Sequence, residues 1–114
     1  MKKVIYLCVP YTHPNMAVRE HRVIEADQAA ASLIRQGHIV FSPISHSHRI
    51  SHHLDNCNDG SFWLEQDVPF LKMADELMVV KLDGWDRSKG IEMEIKIAEG
   101  LGKPVRFMEP SEIT

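Results

Sequence analysis

The run Val4-Ile5-Tyr6-Leu7-Cys8-Val9 is continuously apolar and partly β-branched, the pattern of a strand buried on both faces. It stops at the turn-rich segment Pro10 to Pro14. Asn15 is a good helix N-cap and Gly37 a good stop. Between them Met16, Val23, Ala26, Ala30, Leu33 and Ile34 mark one helical face, with Arg19, Arg22 and Arg35 largely off it. Ile39-Val40-Phe41 predicts a second, short strand, and residues 43–60, rich in Ser, His, Asn and Asp, predict a loop. A second helix is expected from about Phe62 to Ala74, interrupted or kinked at Pro69. Leu77-Met78-Val79-Val80 reads as a third strand, followed by a polar loop from Asp83 to Lys89. Gly90 to Leu101 predicts a third helix stopped by Gly102, and Pro104-Val105-Arg106-Phe107 a last strand.

Strands alternating with helices predict an α/β fold with a parallel sheet, here one domain over residues 1–114. Ligands of such sheets sit outside the carboxyl ends of the strands. Three segments are therefore expected to meet at one crevice: 10–14, 43–60 and 82–90. A Gly-rich dinucleotide fingerprint is absent after the first strand, and so is a P-loop, which argues against a tightly held dinucleotide or triphosphate cleavage.

Composition narrows the partners. Hydrophobic residues make up 44% and charged residues 25%, as in ordinary globular proteins. With a net charge of −3 and no basic stripe, there is no electrostatic footprint for a nucleic-acid polymer. No apolar run approaches the ~18 residues of a membrane span. The start at Met1-Lys2-Lys3 lacks the apolar length and cleavage site of a signal peptide. Two cysteines, Cys8 in an apolar run and Cys57 in a polar segment, suit a reducing cytoplasm rather than a disulfide framework.

Two acids stand where the pattern asks for apolar residues. At ~100° per residue, Ile91, Ile95, Ala98 and Leu101 cluster on one side of the third helix, and Glu94 falls on that stripe. In the second helix Trp63, Phe70, Leu71 and Ala74 form the stripe, with Asp67 among them. A carboxylate on a core-facing stripe costs desolvation unless it is compensated. Either acid alone could cap a neighbouring loop or pair with a cation such as Arg106. Both together, beside a crevice at the strand ends, point to glycosidic-bond chemistry. One carboxylate attacks or shields an oxocarbenium-like sugar while the other manages protons and hydroxyls.

The histidines His46, His48, His52 and His53 crowd one segment. His48 and His52 have i, i+4 spacing, and Asp55 and Cys57 follow, but no paired-Cys or HExxH context supports a metal. The spacing favours a solvated segment with one histidine touching substrate, and metal binding is the weaker alternative.

The chain resembles the nucleoside 2-deoxyribosyltransferase family and its relatives, the 2′-deoxynucleoside 5′-phosphate N-hydrolases. The likeness is greatest to small bacterial and phage members with a Pro-Tyr-x-His-Pro opening (Pro10 to Pro14) and a Ser-Pro-Ile-x-His-Ser-His segment (Ser42 to His48). It spans Val4 to about Phe107. Tyr6 matches a tyrosine placed near the catalytic acid at the end of the first strand. Asp67, followed by Ala74-Asp75 before the third strand, matches a substrate-positioning and proton-handling aspartate. Ser88-Lys89-Gly90-Ile91-Glu92-Met93-Glu94 matches Ser-x-Gly-x-x-x-Glu, whose glutamate is the nucleophile.

The resemblance implies a Rossmann-like or flavodoxin-like three-layer sandwich with a mainly parallel sheet of four to five strands. It implies attack by Glu94 on the anomeric carbon, with Asp67 as positioning or acid/base group and Tyr6 as a hydrogen-bonding orienter. Pro43, Ile44 and His46 would face the base, and Ser88 with Gly90 the sugar or phosphate end. No metal or redox cofactor is implied. The implied partners are a small-molecule nucleoside or nucleotide and a second copy of the chain, with the first and second helices as candidate interfaces. In the family, a serine six residues before the nucleophile accompanies monophosphate substrates and an acid accompanies free nucleosides, and here the residue is Ser88. Against this, Val9-Pro10-Tyr11-Thr12-His13 replaces the hydrolases' Gly-Ser-x-Arg-like phosphate-binding stretch. A nucleotide-sensing module of the same fold, binding without cleavage, is the alternative reading.

Overall fold

The computed structural model describes residues 2–55, 57 and 60–114. Four strands, β1 (Val4–Cys8), β2 (Ile39–Phe41), β3 (Glu76–Val80) and β4 (Val105–Met108), form one sheet in the order β2-β1-β3-β4. Every pairing is parallel, with Tyr6 opposite Phe41 on one side and Leu77 on the other. The helices are α1 (Met16–Arg35), α2 (Pro43–Ser51), α3 (Gly60–Met73) and α4 (Lys89–Gly100). The α/β sandwich with a four-stranded parallel sheet is as expected.

The period of two along β1 divides the core. Ile5, Leu7 and Val9 pack with Ala26, Ala29 and Leu33 of α1. Tyr6 and Cys8 turn to the opposite layer, with Leu71 of α3 and Ile91 and Ala98 of α4. The direction in which the chain adds strands reverses between β1 and β3, so the crevice at their carboxyl ends is the topological switch point. Asp75 fixes the other end of this pair. Its Oδ2 accepts from the Val4 N–H at 2.8 Å, and its own N–H donates to the Val4 carbonyl at 2.7 Å.

Several local expectations are corrected. Residues 43–51 form α2 instead of a loop, with Ser42 in an extended conformation ahead of it and Pro43 in the first turn, where a missing N–H costs nothing. This helix buries Pro43, Ser47 and His48, so its inner face is mostly polar and carries no apolar period to read. Residues 56, 58 and 59 of the expected loop lie outside the described residues. Helix α3 runs on through Pro69 and is not interrupted there. The expected polar loop after β3 contains a 3₁₀ turn at Trp85–Arg87. On α1, Met16 and Ile34 are exposed and Ala29 and Ser32 are buried, because the inward line runs through Ala26, Ala29 and Leu33. Leu101, expected on the α4 stripe, is exposed just past the helix end.

Candidate active site

Where β1 ends, the chain leaves the sheet at Val9 and Pro10, and after β3 it leaves at Leu82 and Asp83. Between these exits lies a cavity of about 930 Å³, within the range of small-molecule sites. The segments expected to converge do so, with α2 in place of a loop: Pro10 to His13, Pro43, Ile44, Ser47, His48 and Ser51, and Asp83, Gly84 and Arg87 to Gly90 contribute walls.

Glu94 and Asp67 both face this cavity. Glu94, on the second turn of α4, is brought under β1, where the Tyr6 hydroxyl donates to its Oε2 at 2.6 Å. Tyr6 is 1% exposed, and burial, followed by the neighbouring Glu94 carboxylate, pushes its phenol far above the usual range. The group therefore stays protonated and serves as a donor. The Cys8 thiol, pushed well up first by burial and then by Glu94, is a second hydrogen-bonding neighbour of the same carboxylate. Burial pushes Glu94 up to about 7. The Tyr6 hydroxyl and Cys8 thiol pull it back, whereas the charge of Asp67 adds to the rise.

Asp67, on α3, is buried and pushed up to about 6 by desolvation, with His46 opposing the shift. Its Oδ1 has no hydrogen-bond partner among the described residues. A buried acceptor without a partner inside a cavity is a group suited to a ligand hydroxyl. Arg106, a possible partner for either acid from sequence, instead donates from Nε to Glu76 at 2.7 Å on the sheet. Neither acid is thereby neutralised.

Also lining the cavity, Ser88 is the N-cap of α4, and its Oγ accepts from the Ile91 N–H at 3.2 Å. The hydroxyl hydrogen remains available for donation, and Gly90 follows in the open first turn. Pro43 and Ile44 line the wall from α2. His46 is not among the lining residues; its exposed ring packs against Phe41 with centroids 5.6 Å apart, and it acts on Asp67 through charge.

Residues 3–110 match the family described as a domain of unknown function, DUF1937. The chain belongs to the DUF1937 family. Among solved structures, this DUF1937 chain is similar to the 2-deoxyribosyltransferase of Bacillus psychrosaccharolyticus. The identity is 25%, the match covers 94% of this chain and 72% of that one, and the TM-score is 0.67. No curated protein matches the chain.

One cavity residue of this DUF1937 chain escapes sequence reasoning. Arg22, set aside as an off-face residue of α1, lines the cavity and donates to the Thr12 carbonyl at 3.0 Å and the Asp83 carbonyl at 3.3 Å. It ties together the two loops that leave β1 and β3. Gly84 makes room for it: at φ +91° a side chain is strained, and a Cβ would stand 3.0 Å from Arg22 Nη2. The Gly84 in the polar segment was the available signal, since a glycine in such a turn marks a left-handed position or a close approach.

Proposed function

We propose that the chain cleaves the N-glycosidic bond of a (deoxy)nucleoside or its 5′-monophosphate, passing the sugar to water or to a second base. The observation that carries this reading is the 2.6 Å hydrogen bond from the buried Tyr6 to the half-buried Glu94, which lines the same cavity as Asp67 with its unpartnered Oδ1. The likeness to a 2-deoxyribosyltransferase supports sugar transfer at such a site, and in this reading the Pro10–Pro14 and Ser42–His48 segments would place the chain beside small bacterial and phage relatives of such enzymes.

In this mechanism a Glu94 oxygen attacks the anomeric carbon as the carbon–nitrogen bond breaks. Its electron pair leaves with the base, which takes up a proton. Tyr6 stays protonated and fixes which Glu94 oxygen is free to attack. Asp67 accepts from a sugar hydroxyl and orients the ring. Water or an incoming base then displaces Glu94, restoring its carboxylate. Pro43 and Ile44 offer the base an apolar wall, His46 modulates Asp67, and Ser88 and Gly90 face the 5′ end. Ser88, with Arg22, Arg87 and Lys89 among the lining residues, favours a monophosphate over a free nucleoside, although Asp83 shares that wall.

Screening nucleosides and their monophosphates for released base, with and without an acceptor base, tests the reading. Base release by the wild type and none by Glu94→Gln supports it. Turnover retained in Glu94→Gln removes the nucleophile assignment. Saturable nucleotide binding without base release would instead make the protein a sensor.

A further inference from the structure

The histidine-rich segment gains a third partner that its sequence neighbourhood does not contain. His48, on α2, and His52, the residue that caps its C-terminus, are one turn apart, and their rings meet edge to face with centroids 4.8 Å apart. Glu20, on α1, faces them: its Oε1 lies 3.0 Å from His48 Nε2. One ligand atom from each of Glu20, His48 and His52 falls within 4.8 Å of the other two. On the far side of the ring, the Tyr11 hydroxyl is 2.7 Å from His48 Nδ1.

We propose that Glu20, His48 and His52 form a binding site for a divalent transition ion of the zinc class, with Tyr11 as the outer group that orients His48. Two imidazole nitrogens and one carboxylate oxygen are the donor set such ions take, and three protein ligands leave a position for water. Bonds of about 2.0–2.2 Å in a tetrahedron place ligand atoms about 3.3 Å apart. The Glu20–His48 pair is already at 3.0 Å, and the exposed His52 can close the remaining gap by side-chain rotation. When Tyr11 accepts from Nδ1–H, the lone pair of Nε2 points toward the Glu20 carboxylate. Two acceptors then face one another, an arrangement a cation between them relieves. Metal-bound histidines commonly have their second nitrogen held in this way.

A hydrogen bond from His48 to Glu20 would account for those two residues but gives His52 no part. Asp55 and Cys57, the ligands nearest in sequence, are not in the cluster; a carboxylate from α1 takes that place. The site joins α1 to α2 beside the cavity, because Tyr11 and His48 also line its wall. It stands independently of the glycosidic reaction.

The test is calorimetric titration of untagged, metal-stripped protein with Zn²⁺ alone, accompanied by thermal unfolding. Wild type should bind one ion saturably and melt at a higher temperature in its presence. His52→Ala and Glu20→Gln, both at exposed positions, should each weaken binding by at least about tenfold. His53→Ala, an exposed histidine outside the cluster, should bind like wild type. No saturable one-to-one binding in wild type would overturn the site. So would a loss smaller than tenfold in either ligand variant, or an equal loss in His53→Ala. Circular dichroism of each variant separates lost ligation from lost folding, and a variant that does not fold is replaced by His52→Gln or Glu20→Ala and judged on the same threshold.

Discussion

Tyr6 and Glu94 show how one hydrogen bond can tune a half-buried carboxylate. Donation from the phenol favours the charged form of Glu94, while burial disfavours it, and burial is the larger effect. In the proposed reaction the carboxylate must be ionised to attack. The rate should therefore fall as pH drops below about 7, where Glu94 takes up a proton. Tyr6→Phe removes the donor while keeping most of the ring packing, so the acid limb should move to higher pH. A pH–rate profile of kcat/KM for both proteins measures the shift; an unmoved limb would show that Tyr6 does not govern the ionisation of Glu94. Asp67→Asn keeps the shape but weakens the acceptor for a sugar hydroxyl. It should lower kcat/KM by about tenfold to a hundredfold, equivalent to about 1.5–3 kcal/mol of transition-state stabilisation.

At the scale of elements, the start of α4 and the loop before it shape the fold and also line the cavity. Ser88 caps α4 through the Ile91 N–H, so Ser88→Ala should cost about 1 kcal/mol in urea unfolding. If the hydroxyl also donates to a phosphate, the same variant should raise KM for a monophosphate more than for the free nucleoside. Equal changes in the two KM values would confine Ser88 to capping. Gly84 holds a left-handed position against Arg22. Gly84→Ala should cost about 1–2 kcal/mol and displace the guanidinium that ties the loops together. Urea unfolding measures the cost, and a variant as stable as wild type would show that the loop relaxes freely.

Across the whole molecule, the two acids make stability depend on pH. Glu94 is raised from 4.5 to about 7 and Asp67 from 3.8 to about 6, so over these intervals the folded state binds more protons than the unfolded chain. Unfolding free energy must then fall as pH rises from about 4 to about 7, as far as these groups determine it. Thermal unfolding across that range should show Glu94→Gln with a smaller decline than wild type. Apolar side chains remain exposed on helices of both layers, Met16, Ile24 and Ile34 on α1 and Phe62 and Met73 on α3. We expect a homo-oligomer that covers part of these faces. Light scattering that returns a mass near 13.0 kDa at micromolar concentration would exclude it.

The β1 run, the alternation of strands and helices, and the two acids on apolar stripes were legible in the sequence. Each is a periodic or contiguous signal along the chain, and buried parallel strands have few other compositions. The candidate positions Asp67 and Glu94 were legible because an acid on an inward stripe conflicts with its surroundings, and such a conflict marks a position to test for function; Tyr6 entered only through the family resemblance. Helix α2 left no such signal, since it buries a proline, a serine and a histidine and takes its place from packing against α1. The sequence likewise placed Arg22 off the helix face and grouped His48 with its neighbours in the chain. Only the tertiary structure set Arg22 between two loops and Glu20 against His48, because both relations depend on how α1 lies across the sheet. Side-chain periodicity reports which face of an element turns inward, but not which distant residue it meets there.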